Sequence, residues 1–188
     1  MSLSSNDLKS GMTILYNGAV HQVVEAHHIK PGKGHAFVRT KLRNVTNGTI
    51  FEYNFRDRDD IEQAIVEKRA LQYLYRDKDL FYFMDPETYE QIPIDKHIIE
   101  HTLDYLKEEG MITFMFYDDR VLEAILPDFI ALRVTEALPG LKGDTVQGGT
   151  KPVTLETGKV VQVPLFINQG DLLKIDTRTG KYVERTKL

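Results

Sequence analysis

The sequence predicts an all-β protein assembled from small barrels, and three observations carry that expectation. Short runs of alternating apolar and polar residues fill the first third. Asn17-Gly18 and Asn47-Gly48, both strong hairpin-turn dipeptides, separate those runs. The second and third thirds keep a similar rhythm of short strands, without a clear sequence repeat.

In the first third the predicted strands are Thr13–Tyr16, Val20–His28, Ala36–Val45 and Thr49–Phe55. In the third of them, Val38, Thr40 and Leu42 alternate with Phe37, Arg39, Lys41 and Arg43. Period-2 geometry therefore puts three cations on one face beside an aromatic ring. In the fourth, Phe51, Tyr53 and Phe55 share a face and fill the core. A barrel of about 60 residues is the economical reading.

The charge cluster Arg56-Asp57-Arg58-Asp59-Asp60 has no core pattern, and the first boundary falls shortly after it. A new pattern follows: Ala70–Tyr75, Leu80–Met84, Met111–Tyr117 and Val121–Leu126. Between the second and third of these, Ile98, Ile99, Thr102, Leu103 and Leu106 recur at helical spacing. They predict a helix over roughly Lys96–Glu109, stopped by Gly110. Pro127-Asp128 marks another break. The last third predicts strands at Phe129–Ala137, Val160–Val163, Leu172–Asp176 and Lys181–Arg185, with a long loop from Pro139 to Gly158. The domains are therefore read as 1–65, 66–128 and 129–188. Domains this small are individually marginal in stability and gain by packing on one another.

Of the 188 residues, 41% are hydrophobic, enough for ordinary globular cores. There are no cysteines, which excludes disulfides, thiolate metal sites and a cysteine nucleophile. The longest apolar run, Leu80 to Met84, is far too short for a bilayer span. The start of the chain lacks the pattern of a secretory signal. A soluble, cytoplasmic protein with no membrane partner is expected. The net charge of −4 argues against a generic nucleic-acid coat. Yet Ala26 to Phe51 contains no Asp or Glu, while it holds Lys30, Lys33, Arg39, Lys41 and Arg43 with His27, His28 and His35. Such a basic lobe can bind phosphate locally. It also suits a solvated edge strand whose cations discourage sheet aggregation.

The sharpest motif is Ile29-Lys30-Pro31-Gly32-Lys33-Gly34. Pro31 presets φ for a β-turn, and Gly32 is expected to supply the positive φ of a type II turn. Lys33 is then held out where it can reach into a crevice or be chemically modified. The same residues also suit an ordinary solvated hairpin tip. His97-Ile98-Ile99-Glu100-His101 matches a short zinc-peptidase pattern, but a β-rich chain offers no helix for a third ligand. An exposed helical face is the better reading, and no metal or cofactor is expected. His27 and His28 point to opposite faces of a strand and cannot readily chelate one ion. Gly143 to Pro152 looks faintly like a phosphate loop but fails the Walker template. No catalytic grouping stands out, so no enzyme is expected.

Taken together, these residues resemble the bacterial elongation factor P family over essentially the whole chain. Lys30-Pro31-Gly32-Lys33-Gly34 is similar to the family's modified-lysine loop, and Ala36 to Asn44 to the strand behind it. Tyr73-Leu74-Tyr75, Phe83-Met84-Asp85 and Tyr89-Glu90-Gln91 resemble the middle domain. Pro139 to Thr145 resembles a loop of the third domain. Lys151, Gly158, Val161, Val163, Pro164 and Gly170 fall in place in the family signature. Val153 and Ile167 depart from it by mild apolar changes.

The resemblance implies an L-shaped protein with the outline of a tRNA, an SH3-like (KOW) barrel followed by two OB-fold barrels. It implies a factor that binds the 70S ribosome between the P and E sites and rescues stalls at consecutive prolines. Lys33, the expected modification site, would approach the CCA end of the P-site peptidyl-tRNA. Lys30, Pro31, Gly32, Gly34 and His35 would shape that tip. Arg39, Lys41 and Arg43 would hold RNA phosphates; Gly143, Asp144 and Thr145 would lie towards the small subunit. Tyr182 and Arg185 match terminal positions that contact tRNA. A lysine-modifying enzyme is an implied partner, and the protein is expected to be monomeric. A generic RNA-binding barrel without a ribosomal role is the alternative.

Overall fold

A computed structural model describes residues 2–32, 34–137 and 149–187. They form three sheets and very little helix. The first sheet uses β1 (Ser2–Leu3), β2 (Thr13–Tyr16), β3 (Ala19–Ile29), β4 (Phe37–Asn44), β5 (Ile50–Arg56) and β6 (Ile61–Gln63). Its order is β1-β6-β2-β3-β4-β5, with every pairing antiparallel. Asn17 and Gly18 both take positive φ (50° and 76°), as a two-residue type I′ turn requires. The second Asn-Gly pair sits in a wider turn. There the Asn44 side-chain oxygen accepts from the Thr46 and Asn47 amides at 2.9 and 3.1 Å.

The expected alternation holds. Leu8, Ile14, Val23, Leu42, Phe55 and Ile61 form a buried cluster. Phe51, Tyr53 and Tyr16 pack against it, with the Tyr16 and Tyr53 rings 4.9 Å apart. The charge cluster after β5 is a turn, and β6 follows it to close against β2.

The second sheet contains β7 (Glu67–Asp77), β8 (Leu80–Met84), β9 (Gln91–Asp95), β10 (Met111–Tyr117) and β11 (Arg120–Ile125), in the order β11-β10-β7-β8-β9. Leu71, Phe81, Phe83 and Ile94 are buried. The helix expected over 96–109 is much shorter. It consists of α1 (Lys96–Ile99) and a 3-10 turn over Glu100–Tyr105. The tightening turns Thr102 inward, where its hydroxyl donates to the Ile99 carbonyl at 2.7 Å. Gly110 is no helix stop but closes the next turn. A Cβ there would lie 2.8 Å from the Lys107 carbonyl oxygen.

The third sheet is built from β12 (Phe129–Ala137), β13 (Thr150–Leu155), β14 (Val160–Pro164), β15 (Leu172–Asp176) and β16 (Lys181–Thr186), ordered β14-β13-β12-β15-β16. The expected loop from 139 to 158 is therefore too long, because residues 150–155 pair with β12 and β14. Its other part, through residue 148, lies outside the described residues. The third core comprises Leu132, Val134, Val153, Leu155, Val161, Val163, Ile167, Leu173 and Ile175, joined by Tyr105. Lys159 Nζ lies 4.9 Å from the Tyr105 ring centroid and bonds Asp104 at 2.6 Å. Burial lowers the Lys159 ammonium, but the Asp104 hydrogen bond and the neighbouring negative charge outweigh it, and the net shift is upward. By packing, the chain divides into two compact units, residues 1–69 with 114–123 and residues 70–113 with 124–188.

The β15–β16 hairpin carries a pH signature. Asp176 accepts from the Arg178 Nε at 3.3 Å, from its NH2 at 3.1 Å and from its backbone amide at 2.9 Å. These bonds hold the carboxyl below its ordinary value of 3.8, the Arg178 side chain contributing most. A depressed native value stabilises the fold above the unfolded value and stops doing so as pH falls through the native one. The stability gap between the parent protein and Asp176→Asn, read by urea unfolding, is expected to close as pH drops below about 4. An equal gap at neutral and strongly acidic pH would contradict this.

Candidate nucleic-acid interface

The lysine loop occupies residues 30–36, between the end of β3 and the start of β4. Lys30, Pro31, Gly32, Gly34 and His35 are all exposed. Lys33 lies outside the described residues. Positive φ occurs at Gly34 (110°) and not at Gly32, so Pro31-Gly32 forms no type II turn. The physical reason is that Gly34, on the β4 side of the loop, takes the left-handed conformation, so Gly32 does not have to. Among the described residues a Cβ on Gly34 would meet only Pro31 Cγ, at 3.8 Å, so φ rather than space is what calls for glycine there.

Below the loop, the ladder through β3, β4 and β5 sets the outer face in rows. Nearest the loop, Phe37 lies between Ile29 and Arg56. Next, Arg39 lies between His27 and Asn54. Then Lys41 lies between Glu25 and Glu52, the two acids that bound the acid-free stretch of sequence. Last, Arg43 lies between Gln22 and Ile50.

Arg39, Lys41 and Arg43 thus share a face as expected, but their electrostatic states differ. Arg43 donates through NH1 and NH2 to the two carboxylate oxygens of Glu123, both at 3.0 Å. That hydrogen bond, more than the opposing burial, raises its guanidinium further above its already high value. Lys41 Nζ is 3.7 Å from Glu25 Oε1, an exposed pair worth about 0–1 kcal/mol. The Arg39 side chain is exposed and has no hydrogen bond or ion pair among the described residues. The free positive charge is therefore concentrated towards the loop.

Two cations at that end escaped the sequence reading. Arg56 is opposite Phe37, and Arg58 follows in the turn; both are exposed. Continuing the alternation of β5 outward through Asn54 would have found Arg56.

In the third sheet, Tyr182 is half-buried against the core, and Arg185 is exposed. Arg185 lies 3.6 Å from Asp171 and 5.8 Å from the Phe166 ring centroid. Gly143, Asp144 and Thr145 lie outside the described residues. The zinc pattern is not assembled. α1 ends between its two histidines, and His101 Nε2 donates to the Ala124 carbonyl at 2.9 Å. No group of three or more metal-binding side chains is present among the described residues. No helix there is long and apolar enough to cross a membrane.

Three family models match successive stretches of the chain. They are the elongation factor P KOW-like domain over residues 4–61, the elongation factor P OB domain over 66–124, and the elongation factor P C-terminal domain over 130–185.

The chain belongs to the elongation factor P family.

It is 50% identical over 183 residues to elongation factor P of Thermoanaerobacter sp. (strain X514), covering 97% of this chain and 99% of that one. The match to elongation factor P of Moorella thermoacetica has the same identity and coverage. Among solved structures, a eukaryotic translation initiation factor 5A from Methanococcus jannaschii superposes with a TM-score of 0.52 at 23% identity. It covers 66% of this chain and 94% of that one, a likeness of fold. Family membership makes the protein a translation elongation factor and not an enzyme.

The Arg43–Glu123 pair yields a direct test. A double-mutant cycle of Arg43→Ala and Glu123→Ala, read by urea unfolding, is expected to show coupling of about 1–2 kcal/mol. Arg39→Ala is expected to change stability by less than about 0.5 kcal/mol. Zero coupling would return Arg43 to the pool of free cations.

Proposed function

We propose that this factor binds the 70S ribosome between the P and E sites and promotes peptide-bond formation at consecutive prolines. It does so by positioning the CCA end of the P-site peptidyl-tRNA. The observation that carries the reading is the lysine loop: an exposed Lys30-Pro31-Gly32 and Gly34-His35 frame Lys33, with the unpaired Arg39 behind them. Proline is a constrained secondary-amine nucleophile, and a proline-ended peptide misplaces the reacting ester. A cation beside the tRNA backbone restores an attack-ready pose, and orientation alone recovers several kcal/mol of barrier. No proton has to pass through the factor.

In this reading Lys33 is the modified residue, extended by a dedicated enzyme so that its cation reaches further. Lys30, Pro31, Gly32, Gly34 and His35 present it, and Arg39 contacts RNA phosphate with lesser help from Lys41. Arg43 acts mainly on stability through Glu123. Gly143, Asp144 and Thr145 face the small subunit, while Tyr182 and Arg185 meet tRNA from the third domain. The protein works as a cytoplasmic monomer of three domains, spanning 1–65, 66–128 and 129–188.

The test compares two reporters, one with a proline run and one without. Lys33→Ala is expected to lower output of the first severalfold and leave the second unchanged. Normal rescue by Lys33→Ala would overturn the reading. Sedimentation with bulk RNA in place of 70S ribosomes would favour a generic RNA-binding protein instead.

A further inference from the structure

A cleft of 610 Å³ opens beside the root of the lysine loop. Its walls are His35, Ala36 and Phe37 on one side and Asn54 with Arg56 to Asp59 on the other. We infer that this cleft is a second RNA subsite, which seats a single-stranded nucleotide segment with its phosphate on Arg56 and Arg58 and a base against Phe37. The inference rests on the ribosomal reading above and adds to it a contact separate from the lysine tip.

The volume falls within the range of about 300–1,000 Å³ that encloses small ligands. It suits about one or two unpaired nucleotides and is too small for a duplex. The wall chemistry selects the same class. Phe37 is half-buried and lines the cleft, so its aromatic surface is available to a base. The Arg56 and Arg58 guanidinia are exposed and have no hydrogen bond or carboxylate partner among the described residues. Planar guanidinia bind phosphate through paired N–H donors, and aromatic faces stack bases without regard to sequence.

The two carboxylates in the wall are held by the scaffold. Asp57 Oδ1 accepts from Ser5 Oγ at 3.3 Å and from Asn6 Nδ2 at 3.4 Å. Asp59 Oδ2 accepts from the Arg56 backbone amide at 2.8 Å. They shape the turn that carries the arginines. They also cancel much of the long-range attraction, so phosphate is gained at short range and in one geometry. Such a cleft discriminates by position where a bare basic patch would not, in keeping with the net charge of −4. A basic protein segment is the poorer fit, because the acids it needs already have donors.

The test places a photoreactive group in the full-length factor bound to 70S ribosomes, as Arg58→benzoylphenylalanine and, separately, Lys30→benzoylphenylalanine. Both positions are exposed, so the fold tolerates them. A ribonuclease-sensitive conjugate from position 58 is the expected result. A protein conjugate from position 58 overturns the inference, as does silence there while position 30 still labels RNA. Silence at both positions defeats the ribosomal reading and the inference with it. In parallel, the slope of log affinity for ribosomes against log salt is measured. Arg56→Ala and Arg58→Ala are each expected to flatten it by about 0.7, the value for one single-strand phosphate contact. Arg43→Ala, whose partner is Glu123, is expected to leave it unchanged. Unaltered slopes for both cleft variants also overturn the inference.

Discussion

The antiparallel register of β3, β4 and β5 is the constraint on which the rest of the first domain depends. Side chains alternate across a strand, so one register decides which residues meet water and which meet the core. With Phe37 opposite Arg56 and Ile29, the core receives Val38 and Leu42, and the outer face receives the cations. A slip of one residue would bury Arg39 and Lys41 and expose Leu42. The cost of burying unpaired charge, several kcal/mol per group, makes that alternative inaccessible. The same register brings Lys41 opposite both Glu25 and Glu52. Folding and electrostatic patterning are therefore one event.

Under the proposed function, that patterning is what lets an acidic protein offer an RNA-facing end. Counting cations overstates the basic lobe. Arg43 is held by two hydrogen bonds to Glu123, and Lys41 is neighboured by two acids, whereas the side chains of Arg39, Arg56, Arg58 and Lys30 have no carboxylate partner among the described residues. Free charge thus rises from the base of the strands towards the loop. At physiological salt, screening over about 8 Å makes this local arrangement matter more than the molecular total.

Much of the fold was legible because its strands alternate cleanly. Thr13–Tyr16, Leu80–Met84, Met111–Tyr117, Phe129–Ala137 and Leu172–Asp176 were read with the bounds they have. What was missed has physical causes. β6 is only Ile61–Gln63, too short to show a period. β9 and β13 contain Pro93 and Pro152, which normally argue against a strand. The helix was overread because Ile98, Ile99, Thr102, Leu103 and Leu106 satisfy helical spacing, while the chain tightens after Ile99. In the site, the shared face of Arg39, Lys41 and Arg43 was readable from alternation alone. The neutralisation of Arg43 was not, because Glu123 lies 80 residues away in sequence. Nor could the turn type be read, since Pro-Gly signals a bend without saying which residue takes positive φ.

The third domain shows why a position's match to a family contact does not by itself assign its role. Tyr182 is paired with Ile175 and rests on the core, so its ring holds β16 to the domain. Removing it perturbs that packing along with any contact its hydroxyl makes beyond the surface. Arg185 is different. It is exposed, its distance of 3.6 Å from Asp171 is long for a charge-assisted hydrogen bond, and its guanidinium lies 5.8 Å from the Phe166 ring centroid. Such a guanidinium can turn from Asp171 to a phosphate at little cost in stability. Under the proposed function Arg185 is the residue whose loss reports on binding, and Tyr182→Phe, which keeps the ring, is the informative change at the other.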